Sequence, residues 1–324
     1  MKRRIVLAAA LTAALAAPLL AAAPASAGAG VGCTSGNCSI SLSKLITLKG
    51  DRGHAGGSRS SYTIIPPCQW NPIGDATTGS QAIITEWQPD PPTAYGVDKS
   101  YAQAKQLVKN PKPGEWYILP VNPEATAAGK AECLKLPLYY FVVPGTTPPT
   151  PPIPPRELAE YAYNHMRIPR PAITISPAAK GYVNLATFVW GSWPASPTTG
   201  RQDTYQITAT LQGSGQAPVW VQARATRFTV NAGGHGRTYS DCGTTGSKYP
   251  VGQAPSTAGA GTAPDCGVLW QGPDAHAAVT ATVAWRVTWG EGAPGAGGRV
   301  LTQVTLTGPA QNIPVSEIQS INGD

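Results

Sequence analysis

Charged residues are scarce in this chain. Lys, Arg, Asp and Glu make up only 13% of the 324 residues, whereas Gly and Pro number 36 and 33. Long exposed helices need many Glu, Lys and Arg side chains, so the balance favours short strands joined by frequent turns. No run of Lys or Arg could neutralise successive phosphates, which argues against nucleic acid as a partner.

Signatures of catalysis and cofactor binding are missing as well. No Gly-x-Ser-x-Gly elbow surrounds a serine, and no G-x-G-x-x-G run joins a strand pattern to a helix pattern. The glycine-rich stretch from Gly290 to Gly298 has no Gly-Lys-Ser/Thr ending and no helix pattern after it. No nucleotide or other cofactor is expected. The four histidines, His54, His165, His235 and His276, include no closely spaced pair for zinc. Asp203, Asp241 and Asp265 lack the spacing and closing Glu of a calcium loop, so no metal is expected either. His235, in Gly233-Gly234-His235-Gly236 beside Asp241 and Cys242, is the best single histidine for acid–base work. Its setting reads as an exposed loop near a disulfide, and a triad needs partners that spacing does not supply.

The N-terminus is informative. Met1-Lys2-Arg3-Arg4 gives a positive start, and an apolar stretch from Ile5 to about Ala23 precedes Ala25-Ser26-Ala27, the small-x-small pattern of a cleavage site. Residues 1–27 are therefore expected to be a signal peptide, and the mature chain a secreted, extracellular protein. Losing Lys2, Arg3 and Arg4 lowers the formal charge from +7 by three, to +4. Gly30-Val31-Gly32 ahead of Cys33 lacks the Leu of a lipidation site, and residues 318–324 offer no apolar tail, so no membrane span or anchor is expected.

Six cysteines in an exported chain read as a disulfide framework. A thiolate nucleophile is not expected among them, because a disulfide sulfur does not attack. Cys242 and Cys266 stand apart from the rest and form the natural pair, closing a loop worth roughly 3 kcal/mol. Cys33, Cys38, Cys68 and Cys133 allow three connectivities. Cys33–Cys38 with Cys68–Cys133 is favoured.

Proline density between Pro144 and Pro155 predicts an extended, semi-rigid spacer. It divides the mature chain into 28–143 and 156–324, with a linker over 144–155. The first part is expected to be a small β-rich domain, with strands at Ser39–Leu48, Tyr62–Ile65, Ala82–Thr85, Trp116–Leu119 and Leu138–Val143, and one helix near Ser100–Val108. The second part opens with a helix: Pro155 suits a first turn, and Leu158, Ala159, Ala162 and Met166 share one face. Strands follow at Ala172–Ser176, Tyr182–Trp190, Tyr205–Leu211, Val219–Val230, Ala277–Trp289 and Val300–Thr307. Alternation in Val283-Ala284-Trp285-Arg286-Val287-Thr288-Trp289 puts Trp285 and Trp289 on one buried face. The expected class is mainly β, with a C-terminal antiparallel β-sandwich behind a short helix.

Several of these segments together carry a resemblance. Leu158-Ala159-Glu160, Tyr163 to Met166, the strand ending in Trp190, the late Cys pair, Thr282 to Gly290 and Pro314 to Asn322 resemble a family of secreted proteins of high-GC Gram-positive bacteria. The resemblance covers roughly residues 155–324 and implies a PKD-like, immunoglobulin-type sandwich. It implies no catalytic residues. The Gly-Asp-Gly turn frequent in that family is replaced here by Asn231-Ala232-Gly233-Gly234, so any role of its Asp does not carry over.

Nine Trp and twelve Tyr in an exported β protein also suggest ring faces for sugars. Trp193 and Trp220 are the candidate binding residues, Trp220 because it is out of phase with Val219 and Val221. The functional expectation is a non-catalytic adhesion or interaction protein at or outside the cell envelope. Its expected partner is a cell-wall polysaccharide or another secreted or surface protein. The alternative is an extracellular hydrolase whose site, built around His235 or His54, is assembled from distant loops.

Overall fold

The computed structural model of the chain describes residues 31–34, 37–40, 45–52, 64, 66–88, 97–178, 180–246, 265–295 and 297–317. The expected signal peptide over 1–27 and His54 lie outside the described residues, as does nearly all of the strand expected at Tyr62–Ile65.

Strands dominate, as the composition requires. Near the N-terminus β1 (Val31–Thr34) and β2 (Asn37–Ile40) form a hairpin with Cys33 opposite Cys38. The side chains of that pair, and hence the disulfide expected between them, lie outside the described residues. A small unit follows, with a three-stranded antiparallel sheet of β4 (Asn71–Asp75), β5 (Glu115–Ile118) and β6 (Tyr139–Val142). Two helices, α1 (Thr78–Glu86) and α2 (Val97–Lys109), pack on it, and α3 (Ala127–Cys133) lies beside it. The disulfide Cys68–Cys133 ties α3 to the chain ahead of β4.

One expected strand is a helix. Ala82–Thr85 lies within α1, although Ile83, Ile84 and Thr85 are β-branched. Asp75 accepts hydrogen bonds from the backbone N–H groups of Thr77 and Thr78, each at 2.8 Å, and so satisfies donors at the start of the helix. Ile83 and Ile84 then bury on one side with Trp116 and Tyr139. Capping and burial together override strand propensity.

The larger unit has two sheets and one shared core. The seven-stranded sheet runs β3 (Ile46–Gly50), β10 (Thr204–Leu211), β11 (Val219–Ala232), β14 (Asp274–Glu291), β16 (Gln311–Ser316) and β8 (Gly181–Tyr182). Its remaining strand, β15 (Arg299–Thr307), pairs with the C-terminal half of β14, where β16 takes the N-terminal half. The four-stranded sheet runs β12 (Gly236–Ser240), β13 (Cys266–Trp270), β9 (Ala186–Gly191) and β7 (Ile173–Ser176). Cys242–Cys266 closes the connection between β12 and β13. Helix α4 (Pro155–Asn164) presses Leu158, Ala159 and Ala162 onto the large sheet over β10, β11 and β14. The arrangement is mainly β and sandwich-like.

Two boundaries differ from those read in the sequence. Residues 28–143 do not close on themselves, because β3 leaves the small unit and extends the edge of the large sheet beside β10. Asp51 fixes that graft. Its buried carboxylate accepts from Ser196 Oγ at 2.7 Å, Thr198 Oγ1 at 2.9 Å and the Gln206 N–H at 2.7 Å. The proline-rich segment over 144–155 is a docked strap. Pro149 O accepts from Trp70 Nε1, Ile153 is fully buried in the sandwich core, and the Gln216 side chain bonds both the N–H and C=O of Ile153. No helix among the described residues is long and apolar enough to cross a membrane.

Candidate functional site

The large sheet has two unlike faces. Along β14, Val279, Ala281, Val283, Trp285, Val287 and Trp289 are buried, so the residues between them point away from the core. The same alternation buries Tyr205, Ile207, Ala209 and Leu211 on β10 and Val219, Val221, Ala223 and Ala225 on β11. The outward residues fall into rows across the strands. Lys49, Thr208, Trp220 and Gly290 form one row, and Gln206, Gln222 and Thr288 a second. Thr204, Arg224, Arg286 and Gln303 form a third. A bulge between Ala225 and Arg227 resets the phase, so Arg227 also faces outward, opposite Ala284.

Among the described residues this face is basic without compensation. It presents Lys49, Arg224, Arg227 and Arg286, all exposed. The carboxylates within β3, β10, β11, β14 and β15 are Asp274 and Glu291, the first and last residues of β14. Glu291 faces Arg299 at 3.9 Å. Asp203, on the turn entering β10, is taken by Arg201 through both oxygens, which holds its carboxyl below the usual carboxylate range. Arg224 and Arg286 are register partners on neighbouring strands, which places their Cβ atoms about 5 Å apart. Among the described residues neither makes an ion pair. Like charges directly opposite each other lower sheet stability, so this pair stands against the interest of the fold.

A groove of about 740 Å³ opens over the pair. Gln206, Gln222, Thr288, Arg224 and Arg286 form its floor, and Pro294, Gly295, Gly297 and Gly298 of the β14–β15 connection form its wall. The wall stands on Trp220. Its indole lies between Gly290 and Gly298, where an added Cβ would come within 2.6 Å and 2.4 Å of the ring. Gly290 and Gly298 are thus glycine because a tryptophan is packed against them.

The expected aromatic platform is not formed. Trp220 is 4% exposed and Trp193 only 1%. Trp193 donates from Nε1 to Gln202 O at 2.9 Å, lies 5.9 Å from the Phe228 ring and sits over Gly191, so neither indole offers a face to a sugar. Large rings are buried here because the core and the groove wall claim them. His235 is exposed with its ring against Gly272, and among the described residues no hydrogen bond joins it to a carboxylate. Nor do the described residues hold any group of three or more His, Cys, Asp or Glu side chains that could bind a metal. A smaller cavity of about 540 Å³ lies in the small unit, beside the exposed Leu134 and Tyr140.

The basic face escaped the sequence because it has no local signature. Lys49, Arg224 and Arg286 come from three separate strands, and only the register of β3, β10, β11 and β14 assembles them. One signal was present: Arg224 and Arg286 each interrupt an apolar-alternating strand at an outward position. No family model matches the chain, and neither a curated protein nor a solved structure is similar to it at a meaningful level.

Proposed function

We propose that this is a secreted, non-catalytic binding protein that acts at or outside the cell envelope through the outer face of its β-sandwich. The observation that carries the reading is the uncompensated basic face over Lys49, Arg224, Arg227 and Arg286. Export is supported by the N-terminal pattern of Lys2 to Ala27 and by the disulfides Cys68–Cys133 and Cys242–Cys266, which persist in an oxidising compartment. Envelopes present dense negative charge, and a rigid sheet displays cations at fixed spacing better than a loop does. The PKD-like resemblance of residues 155–324 points the same way, toward a display module rather than an enzyme.

The test is co-sedimentation of the mature chain, residues 28–324, with purified cell walls. Saturable binding that falls at least tenfold in Arg224→Gln/Arg286→Gln supports the reading. Absence of sedimentation at low ionic strength would sink it.

A further inference from the structure

We infer that the groove beside the Arg224–Arg286 pair binds the phosphates of an envelope polymer built from phosphodiester-linked polyol units. This narrows the envelope-binding reading and rests on it. The stereochemistry of the arginine pair separates phosphate from carboxylate. One guanidinium engages a carboxylate through two parallel N–H···O bonds and leaves only the two outer lone pairs, which lie in the same plane. A second guanidinium, on a side chain rooted about 5 Å away at Cβ on the neighbouring strand, would then have to enter that same plane from the side. A phosphodiester is tetrahedral at phosphorus. Its two unesterified oxygens carry enough lone pairs, spread widely enough, to accept from guanidinium groups on two sides. The Arg224–Arg286 pair therefore suits one phosphate, and binding removes the repulsion that the free sheet endures.

The rest of the face suits a chain of repeats rather than a single ion. Arg227 follows Arg224 on β11 across the bulge and stands opposite Ala284, two residues from Arg286 on β14, so it lies about 7 Å along the strand. Lys49 lies two strands across, in the row of Trp220, about 16 Å from Arg224. A single phosphate reaches one of these positions, whereas an extended polyanion reaches all of them. Between the charges the floor presents Gln206, Gln222 and Thr288, neutral groups that can hydrogen-bond hydroxyls of the polyol. Nucleic acid shares the phosphodiester but needs stacking surfaces for its bases, and the indole on this face, Trp220, is buried under Gly298.

The experiment compares four polymers by calorimetry with the mature chain: poly(glycerol phosphate), polygalacturonate, dextran and single-stranded oligo-dT. Cell walls are assayed in parallel before and after extraction with hydrofluoric acid, which cleaves phosphodiesters. The expected result is saturable binding of poly(glycerol phosphate), with log K falling linearly in log salt. Arg224→Gln/Arg286→Gln should weaken it at least tenfold. Arg286→Lys should weaken it too, since that substitution keeps the charge and loses the fork. Equal binding of polygalacturonate, dextran or oligo-dT would overturn the assignment, as would an unchanged affinity in the double variant. Walls bound equally well after extraction would overturn the phosphate assignment and leave envelope binding standing. Walls unbound in either state would overturn both.

Discussion

Trp220 and Gly298 meet at a distance that no other residue at 298 would permit: an added Cβ would stand 2.4 Å from Cη2 of the indole. The contact joins β11 to the β14–β15 connection and holds up the wall of the groove. Gly298→Val must therefore displace either the connection or the ring. The expected cost is about 1–3 kcal/mol in chemical denaturation, the range for overpacking a filled site. Trp220→Ala should cost about 3–5 kcal/mol. If Trp220 were instead a ligand platform, its removal would abolish binding with little change in stability, so measuring both separates the two roles.

Arg224 and Arg286 make the opposite prediction for stability. Because the two guanidinium groups repel across one rung of the sheet, Arg286→Gln should stabilise the free protein. The gain should be a few tenths of a kcal/mol at low ionic strength and should fade at 1 M salt, where the Debye length is about 3 Å. Thermal melts of wild type and variant at both salt concentrations decide it. A variant less stable than wild type at low salt would mean that the arginine serves the fold.

How legible all this was in the sequence depended on whether the signal was local. The alternation around Trp285 predicted the buried face of β14, and helical spacing from Pro155 predicted α4, because one segment carries each pattern. Strands β12 and β13 went unread. Each has five residues, and Gly236, Arg237 and Gly267 blur any alternation. Their existence depends on mutual pairing and on Cys242–Cys266. The basic face is the extreme case, since its period lies across strands. Reading Trp193 and Trp220 as exposed failed for a related reason. Phase identifies which face a ring is on, but not what covers that face, and Gly298 covers Trp220 from a distant strand connection.

Asp51 should control how β3 stays on the sheet. Its carboxylate gathers Ser196, Thr198 and the Gln206 N–H, and its own backbone bonds Gln206 O and the Arg167 N–H. Asp51→Ala takes the acceptor from the buried Ser196 hydroxyl and the half-buried Gln206 N–H, each costing about 1–3 kcal/mol when left unmade. The variant should lose several kcal/mol in total, and amide exchange should accelerate first in Ile46–Gly50 and its partner strand β10. Uniform acceleration across the sandwich would show that β3 is not a separately released edge. Loss of β3 would also carry Lys49 away from the basic face, so affinity for poly(glycerol phosphate) should fall in the same variant.

Alkaline pH tests the interior on both sides of the strap. Tyr205 is buried with its ring edge-on to Trp285 and its hydroxyl bonded to Pro194 O. Burial first, and the nearby Asp51 charge second, push its pKa up to about 12. Tyr139, buried in the small unit and bonded to Glu86, is also raised to about 12, again mainly by burial. An unfolded tyrosine ionises near pH 10. Because the folded values lie above that, the native state binds these protons more tightly, and the stabilisation is complete below pH 10. It is lost as pH rises from about 10 to 12, at about 1.4 kcal/mol per pH unit for each tyrosine. Absorbance at 295 nm should show Tyr205 and Tyr139 ionising only with unfolding, and Tyr205→Phe should flatten the alkaline slope of the sandwich by one proton. A slope unchanged by Tyr205→Phe would mean that the hydroxyl titrates equally well in the folded state.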